Sequence, residues 1–343
     1  YLDHVADADG VTVSLREGAD EAPVTRRARL VVAADGAESA VREQADIVIV
    51  GAGAAGLMSA VWAGRAARDA AARPRIIALD GARKVGVKIL VAGGGRCNVT
   101  HHEVREDAYA GASRHAIRKV LRRFDVPDTV RFFESLGVRL KREPTGKLFP
   151  TTDDAHTVLD ALLQAVADAR VELRNPARVE SVRSSPGQGF TVSGPWGDID
   201  CRRVILATGG KALPRSGSDG GGYSIARALG HTTTDRIFPA LVPLALEKDC
   251  FLRTLSGVTL PARLELRAAT GRRLLAFENS TLCTHFGLSG PDVLDVSRYW
   301  SDTAAHDPDA SLVINWLPGE TFDSIDQTLQ YLGKRTPLGW LRD

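Results

Sequence analysis

The sequence predicts an α/β protein built around a parallel sheet, and three features support this fold class. A strand, a glycine loop, a helix and a second strand follow one another between residues 45 and 80. A further buried strand, Val204–Ala207, ends in a Thr-Gly-Gly turn. After about Asp235 the pattern changes to short strands and a terminal helix. This order is typical of a sheet with helices on its faces, joined to a second domain of mixed β and helical structure.

Composition places the chain among globular proteins with balanced charge. Of the 343 residues, 44% are hydrophobic and 25% are charged, which is enough apolar material for a full core. The 44 basic and 42 acidic residues are interleaved, so we expect neither a nucleic-acid partner nor a membrane partner. The densest basic stretch, Arg114–Arg123, is predicted to be the solvated face of a helix that buries Ile117, Val120 and Leu121.

Cysteine usage predicts a reduced, cytoplasmic protein without a metal site. The four cysteines stand far apart, and none forms the CxxC pair of a redox disulfide or a zinc site. One uncharged stretch, residues 47–64, approaches the length of a membrane span. Glycines at positions 51, 53 and 56 divide this stretch into a short strand and a helix start, which favours a βαβ unit over a membrane span.

Residues 1–44 are predicted to form a β appendage. Val11–Leu15 alternates between apolar and polar residues, a polar turn follows, and Ala28–Ala33 is typical of a buried strand that ends at Asp35-Gly36. The same order of a hairpin and a sheet strand returns between Arg178 and Gly210. Because one sheet needs this unit only once, the first copy is predicted to be supernumerary.

The βαβ unit is the strongest motif of the chain. Strand Ile47–Val50 precedes the loop Gly51-Ala52-Gly53-Ala54-Ala55-Gly56, a helix follows to about Ala72, and the next strand ends at Asp80. In such a loop the first glycine permits a tight turn, the second lets backbone amides approach a pyrophosphate, and the third lets helix and strand pack closely. A carboxylate at the position of Asp80 can accept the hydroxyls of an adenosine ribose. The unit therefore predicts a Rossmann-like domain that binds a dinucleotide.

Two further glycine clusters are candidates for the same ligand. In Gly93-Gly94-Gly95-Arg96-Cys97-Asn98, backbone donors lie near the positive side chains of Lys88 and Arg96, which suits an anion. The alternative for this segment is a flexible surface loop. Cys97 beside Arg96 has the setting of an activated thiol, but a small packed residue explains it better. The turn Thr208-Gly209-Gly210 lets the backbone pass close under a cofactor.

The middle and the end of the chain complete the predicted organisation. Residues 110–175 are predicted to be largely helical, with helical periodicity in Ala116–Phe133 and Thr157–Ala169 and a loop at Pro144–Pro150. The later strands are predicted at Ala262–Ala268, Leu274–Phe277 and Ser311–Trp316. The predicted domains are residues 1–44, 45–235 and 236–343.

Six segments, in chain order, carry a family resemblance: IVIVGAGAAGLMSAVWAG, GVKILVAGGGRCNVTH, TGKLFP, ATGGKALPRSGSDGGGYSIARALGH, PALVPL and LCTHFGLSGP. Together they resemble the BaiN/YhiN-type NAD(P)/FAD-dependent oxidoreductases, from Asp46 onward. The resemblance implies a flavoprotein with a Rossmann-like FAD-binding domain, an inserted mixed β/helical domain, and NAD(P)H as reductant. The residues implied to hold FAD are Gly51, Gly53, Ala54, Ala55, Gly56, Asp80, Lys88, Gly94, Gly95, Arg96, Cys97, Asn98, Val179, Thr208, Gly209 and Gly210.

Two features depart from this family pattern. The segment ARLVVAADGAESAVRE, within residues 1–44, is similar to the Asp-Gly motif of aromatic-ring flavin monooxygenases, in which Asp35 would face the cofactor. The glycine-rich segment that closes the family's FAD domain is missing before Asp343. We therefore expect a foreign-looking fragment joined to a truncated enzyme.

The predicted function is that of an FAD-dependent oxidoreductase. It would pass hydride from NAD(P)H through the flavin to a small unsaturated or carbonyl substrate, and no catalytic side chain is identified. Three alternatives are an aromatic-ring monooxygenase, a non-catalytic fusion fragment and an FAD-dependent RNA modifier. The balanced charge argues against the RNA modifier, which would need a basic groove.

Overall fold

The computed structural model describes residues 3–7, 10–15, 24–28, 43–109, 113–185, 187, 189–334 and 336. Two compact units divide the chain, Tyr1–Thr233 and Thr234–Asp343. The first contains a mainly parallel sheet with helices, and the second contains an antiparallel sheet with helices. The predicted mixed α/β fold class is confirmed.

The N-terminal strands form a small antiparallel sheet. β1 (Asp3–Asp7), β2 (Gly10–Leu15) and β3 (Val24–Ala28) lie in the order β1-β2-β3. In this sheet, Val11 pairs with Ala6 on one side and with Ala28 on the other. Of the predicted strand Ala28–Ala33, only Ala28 is among the described residues. The predicted Asp35-Gly36 turn lies outside them.

A six-stranded sheet forms the centre of the first unit. In spatial order its strands are β10 (Ser181–Ser185), β11 (Gly189–Gly194), β12 (Gly197–Leu206), β4 (Glu43–Val50), β5 (Ile76–Leu79) and β9 (Glu172–Arg174). β10, β11 and β12 form an antiparallel meander. β12 also pairs with β4 in parallel from Ile199 to Leu206, and β5 and β9 extend this parallel part of the sheet. The hairpin and strand predicted between Arg178 and Gly210 thus join the main sheet.

Helices α1 (Ala54–Asp69) and α5 (Ala155–Asp168) pack together beside this sheet. α1 buries Leu57, Val61 and Gly64, which share one face at helical spacing. Close approach is possible at Gly64, where a Cβ atom would lie 2.5 Å from the carbonyl oxygen of Ala169. The βαβ unit predicted from the glycine loop is therefore present, with β4 beginning at Glu43 rather than at Ile47.

The basic stretch forms the predicted helix, α3 (Arg114–Leu121), but the apolar stripe predicted on it is wrong in part. Ile117 and Leu121 are half-buried, whereas Val120 is 70% exposed. The periodic segment Ala116–Phe133 is two helices, because Asp125 caps the start of α4 (Val126–Ser135) in a capping box. Helical spacing shows which residues share a face, but it does not show that another element covers that face.

The predicted loop at Pro144–Pro150 is also wrong. β6 (Thr100–His101), β7 (Leu140–Arg142) and β8 (Lys147–Pro150) form a three-stranded antiparallel sheet. Only residues 143–146 turn between β7 and β8, and Pro150 ends the strand opposite Leu140. Proline is tolerated at such an end position, so it does not exclude a strand.

The second unit has a five-stranded antiparallel sheet. In spatial order its strands are β13 (Leu244–Ala245), β16 (Gly287–Ser289), β15 (Arg273–Thr284), β14 (Thr259–Arg267) and β17 (Ser311–Asn315). Its core contains Leu264, Leu266, Cys283 and Val293.

The remaining helices are α2 (Val87–Val91) and α6 (Gly221–Ala228) in the first unit, and α7 (Pro291–Thr303) and α8 (Phe322–Gln330) in the second. None of the helices in the described part of the chain has the length and apolar character that a bilayer span requires.

Candidate functional site

A cavity of about 910 Å³ lies in the first unit, at the carboxyl ends of its parallel strands. Its lining includes Val50 at the end of β4, Leu79 at the end of β5, and Leu206 at the end of β12. Ligands of open α/β sheets bind outside the carboxyl ends of the strands, in cavities of this size. The position of the cavity therefore marks it as the candidate cofactor site.

The three glycines of the first loop serve different purposes. Gly51 has a φ of 95°, and a Cβ atom there would lie 2.7 Å from the carbonyl oxygen of Ala207. A Cβ atom at Gly56 would lie 1.8 Å from the carbonyl oxygen of Gly51. At Gly53 a Cβ atom would meet nothing within 4 Å, and Gly53 lines the cavity. Gly51 and Gly56 allow the loop to pack, whereas Gly53 leaves space for a ligand.

The start of helix α1 provides the electrostatics of an anion site. Gly53 is the N-cap residue of this 16-residue helix, no side chain caps it, and no acidic residue lies in its first turn. Ala54 and Ala55 line the cavity with it. A helix N-terminus concentrates free amide donors and partial positive charge, so this end of α1 suits a phosphate group. These residues fit the diphosphate of a dinucleotide.

Asp80 lines the cavity and also fixes the glycine loop. One carboxylate oxygen accepts a hydrogen bond from the Ala52 amide at 2.7 Å, and the other accepts one from the Ala82 amide at 2.8 Å. A carboxylate oxygen has a second lone pair, so the group can still accept a ribose hydroxyl. The structure thus gives Asp80 a bond to the loop that the sequence did not predict.

The second glycine cluster forms a tight turn on another part of the cavity wall. Gly93, Gly94 and Gly95 have φ values of 58°, 71° and 87°, and Cys97 also lies in the left-handed region. Cys97 is buried, and its burial raises the pKa of its thiol, so it stays protonated at neutral pH. Cys97 and Asn98 line the cavity. The explanation of Cys97 as a packed residue therefore agrees with its surroundings.

Arg96 does not line the cavity. Its guanidinium pairs with Glu143 at 2.5 Å, lies 3.6 Å from Asp153, and stacks over the ring of Phe149 at 4.1 Å from the centroid. By contrast, the Lys88 ammonium lies on the cavity wall, where it donates to the Ala212 carbonyl oxygen at 3.1 Å. Of the two positive side chains predicted for the anion, only the lysine faces the cavity.

The end of β12 passes directly under the start of α6. A Cβ atom at Gly222 would lie 1.9 Å from the hydroxyl oxygen of Thr208, which shows how closely the two segments approach. Gly209 has a φ of 73° and lies beside Ser218, a buried residue on the cavity wall. The close packing of this turn against α6 was not predicted; the sequence had suggested that the Thr-Gly-Gly turn passes close under a cofactor, and this remains a prediction.

Sequence reasoning missed an ion pair at the cavity rim. Arg178 donates to Asp219 at 2.7 Å, and both residues line the cavity. Two hydrogen bonds hold the pKa of Asp219 below its ordinary value: the larger effect comes from the Gly221 amide and the smaller from Arg178. An acidic residue directly before a glycine-rich helix start is a capping signal, and it could have pointed to Asp219.

The cavity gathers most of the predicted cofactor residues. Those on its wall are Gly51, Gly53, Ala54, Ala55, Asp80, Lys88, Cys97, Asn98, Val179, Thr208 and Gly209. Those outside its lining are Gly56, Gly94, Gly95, Arg96 and Gly210. All four cysteines are free thiols, and no group of metal-ligating side chains is found among the described residues.

Comparison with protein families gives three matches. Residues 45–285 match the model described as "HI0933-like protein Rossmann domain". Residues 238–338 match "HI0933-like protein barrel and H2TH domain". Residues 1–48 match a different model, described as "FAD binding domain".

Two curated relatives are each 34% identical to the chain. One, from Clostridium scindens, is named 3-dehydro-bile acid delta(4,6)-reductase and matches over 79% of this chain and 64% of its own length. The other, from Escherichia coli, is named ribosomal RNA dihydrouridine synthase and matches over 82% of this chain and 66% of its own length. The chain thus spans just under two thirds of the length of these relatives.

Among solved structures, a 3-ketosteroid-Δ4-(5α)-dehydrogenase from Rhodococcus jostii RHA1 aligns with 66% of this chain and 57% of its own. The sequence identity is 16% and the TM-score is 0.41. At this TM-score the likeness supports no argument about the site.

Proposed function

Because the chain belongs to the HI0933-like family, the BaiN/YhiN type of FAD-dependent oxidoreductase, we propose that its cavity binds FAD for the reduction of a carbon–carbon double bond. The observation that carries the proposal is the open space at Gly53, in front of the uncapped N-terminus of α1. A diphosphate there receives amide hydrogen bonds without displacing a side chain.

Different residues of the cavity wall would bind different parts of FAD. Gly53, Ala54 and Ala55 present the start of α1 to the diphosphate, and Asp80 accepts ribose hydroxyls while it holds the loop. The Lys88 ammonium supplies positive charge on the same wall. Elsewhere Met58, Phe124 and Phe133 line the cavity with apolar surface, which excludes water from a bound ring system.

The proposed substrate is an unsaturated compound, and the proposed reductant is NADH or NADPH. Support comes from the names of the two relatives, since a delta(4,6)-reductase and a dihydrouridine synthase both add hydrogen across a carbon–carbon double bond. When bound, FAD supplies the two-electron chemistry that links the nicotinamide to the substrate. The amide of Asn98 lies on the cavity wall without a hydrogen bond to another described residue, so it is free to orient a polar group there.

Gly53→Val tests the cofactor site. We expect the variant to keep its circular dichroism spectrum and lose FAD binding, because the branched side chain fills the space for the diphosphate. Gly319→Val is the matched control, since a Cβ atom at Gly319 also meets nothing within 4 Å and the residue lies outside the cavity lining. Undiminished FAD binding by Gly53→Val, measured by fluorescence quenching, would refute the proposed site.

The reaction is tested by mixing the FAD-loaded protein with NADH or NADPH without oxygen. We expect the flavin absorbance to bleach and to return when a conjugated enone is added. In a parallel assay with oxygen present, an aromatic-ring monooxygenase would instead consume oxygen and give a hydroxylated product. That outcome would replace the reductase proposal, and it would connect the function to residues 1–48.

A second candidate function is reduction of a base in RNA. One relative is named ribosomal RNA dihydrouridine synthase, and α3 exposes Arg114 and Lys119, with Arg122 and Arg123 exposed directly after it. RNA binding through such residues weakens steeply as salt rises. A filter-binding titration at several salt concentrations separates the candidates, since a reductase of small molecules shows no salt-dependent RNA retention.

A further inference from the structure

The turn at residues 93–97 does not hold its shape by local contacts alone. Gly93, Gly94, Gly95 and Cys97 all lie in the left-handed region of φ, which is costly for Cys97 because it carries a side chain. The Cys97 amide donates to the Ala92 carbonyl oxygen at 2.9 Å, and just after the turn the Val99 amide donates to the Leu148 carbonyl oxygen on β8 at 3.0 Å. Contacts from outside the turn are needed to keep this backbone in place.

Arg96 makes these contacts on the side away from the cavity. Its guanidinium pairs with Glu143, in the turn between β7 and β8, and lies over the ring of Phe149 on β8. Asp153 lies 3.6 Å away on the same side and pairs with Lys141. A planar guanidinium that stacks on a ring and pairs with a carboxylate has a defined orientation, which an ammonium cannot reproduce.

The next two residues in the chain are those that line the cavity. Cys97 is buried, and Asn98 presents its amide there. Backbone pairing with β8 fixes the chain from Val99 onward, and the side chain of Arg96 attaches the turn before Val99 to the same strand and to Glu143. Cys97 and Asn98 lie between these two attachments, so the contacts of Arg96 contribute to their position on the cavity wall.

We infer that Arg96 is a positioning residue: through Glu143 and Phe149 it holds the 93–98 turn so that Cys97 and Asn98 face the cofactor. The sequence had suggested a direct contact between Arg96 and the cofactor. This inference rests on the proposed FAD site for its effect on the cofactor, but its effect on the turn is independent of FAD.

The turn is tested in the FAD-free protein by the rate at which iodoacetamide modifies Cys97. We expect Arg96→Met to raise this rate about tenfold or more, Glu143→Gln to raise it less, and Arg96→Lys to lie between Arg96→Met and wild type. Cys250, which is partly exposed in the second unit, is the internal control for the reagent. Arg105→Met is the matched variant: Arg105 also lies between two carboxylates and outside the cavity lining, but its partners, Glu103 and Asp107, are not on the β7–β8 hairpin.

The cofactor is tested by FAD affinity and by the visible spectrum of the bound flavin. We expect Arg96→Met to weaken FAD binding about tenfold and to shift the spectrum, with Arg105→Met unchanged. The double variant Arg96→Met with Glu143→Gln should bind FAD no more weakly than Arg96→Met alone, because both changes break the same contact between Arg96 and Glu143.

An unchanged Cys97 rate in Arg96→Met would overturn the inference. Loss of FAD affinity in Arg96→Met, with normal affinity in Glu143→Gln and normal Cys97 rates in both, would show a direct cofactor contact instead. If Arg96→Met fails to fold, Arg96→Lys and Glu143→Gln decide the question by the same two measurements. If the wild-type chain binds no FAD, the proposed function fails, and the Cys97 rates still decide the role of Arg96.

Discussion

The two glycine-rich loops on the cavity wall are fixed in different ways. The first, at residues 51–56, is held mainly by backbone: Gly51 lies against the Ala207 carbonyl, and Gly56 lies against the Gly51 carbonyl. The second, at residues 93–98, is held by the side chain of Arg96 through partners on a separate hairpin. Both loops need glycines, and the second also needs one particular side chain.

This difference teaches which parts of a binding site can be predicted from sequence. In the first loop, close packing requires residues without a Cβ atom, so the spacing of the three glycines is enough to predict the loop from the sequence. In the second loop the deciding contact joins Arg96 to Glu143, 47 positions later in the chain. No local pattern at Arg96 indicates that partner.

The largest expected effect is that of Gly56→Ala. Its Cβ atom would lie 1.8 Å from the carbonyl oxygen of Gly51, so the helix must move away from the strand. We expect a loss of at least about 3 kcal/mol in the free energy of unfolding, measured by urea denaturation. Gly53→Ala is the control, because its Cβ atom meets nothing within 4 Å. Equal stability of the two variants would contradict the view that backbone packing fixes the first loop.

A smaller loss is expected from Asp80→Ala, which removes a side chain that accepts a hydrogen bond from the first loop. The change leaves the amides of Ala52 and Ala82 without their acceptor, at a cost of about 1–3 kcal/mol even without FAD. Asp80→Asn keeps one carbonyl acceptor and should lose less. Urea denaturation of the FAD-free variants measures this cost. If Asp80→Ala lost only FAD affinity and no stability, its role would be limited to the ribose.

The fold was predictable wherever a local pattern determines it. Continuous apolar residues in β4 and the glycine loop after it specify the βαβ unit. The composition changes near Asp235, and the second compact unit begins at Thr234. The exposed face of α3 was not predictable, since the spacing of Val120 says nothing about what covers it. The β7–β8 hairpin was missed because prolines at 144 and 150 suggested a loop.

The same reasoning explains the outcome for the site. Residues whose backbone lines the cavity, such as Gly53 and Thr208, were indicated by glycine patterns at strand ends. The positions of long side chains were not indicated: Arg96 and Lys88 have the same charge, but only Lys88 lines the cavity, while Arg96 lies over Phe149. Arg178 and Asp219 were missed because their pairing joins two loops far apart in sequence.

Gly94→Ala tests the second loop at the level of its backbone. Gly94 has a φ of 71° and open space at its Cβ position, so the cost is backbone strain alone, about 1–2 kcal/mol. Gly137→Ala is a matched control, with a φ of 79°, open space, and no place on the cavity wall. We expect equal losses of stability, with FAD affinity lowered only in Gly94→Ala. Equal FAD affinity in both variants would show that the second loop does not shape the cofactor site.

The smallest expected effect concerns the far end of the strand that carries the first loop. Glu43 begins β4 and accepts two hydrogen bonds from Arg174, at 2.7 and 2.6 Å. The hydrogen bond from Arg174, opposed in part by burial and aided by Arg75, holds the pKa of Glu43 below its ordinary value of 4.5. A lowered pKa means that this contribution to stability is present above pH 4.5 and is lost as pH falls through the folded-state pKa.

Glu43→Gln should therefore reduce stability at pH 7 by up to about 1 kcal/mol, a modest figure because the side chain is partly solvent-exposed. It should also flatten the decline of stability below pH 4.5, measured by urea denaturation at a series of pH values. Glu103→Gln, which removes an exposed pair with Arg105, is the control and should change neither. Because backbone contacts with Ala207 fix the first loop, FAD affinity at pH 7 should not change in Glu43→Gln. A loss of affinity would show that the first loop depends on the whole length of β4, and the contrast between the two loops would then be one of degree.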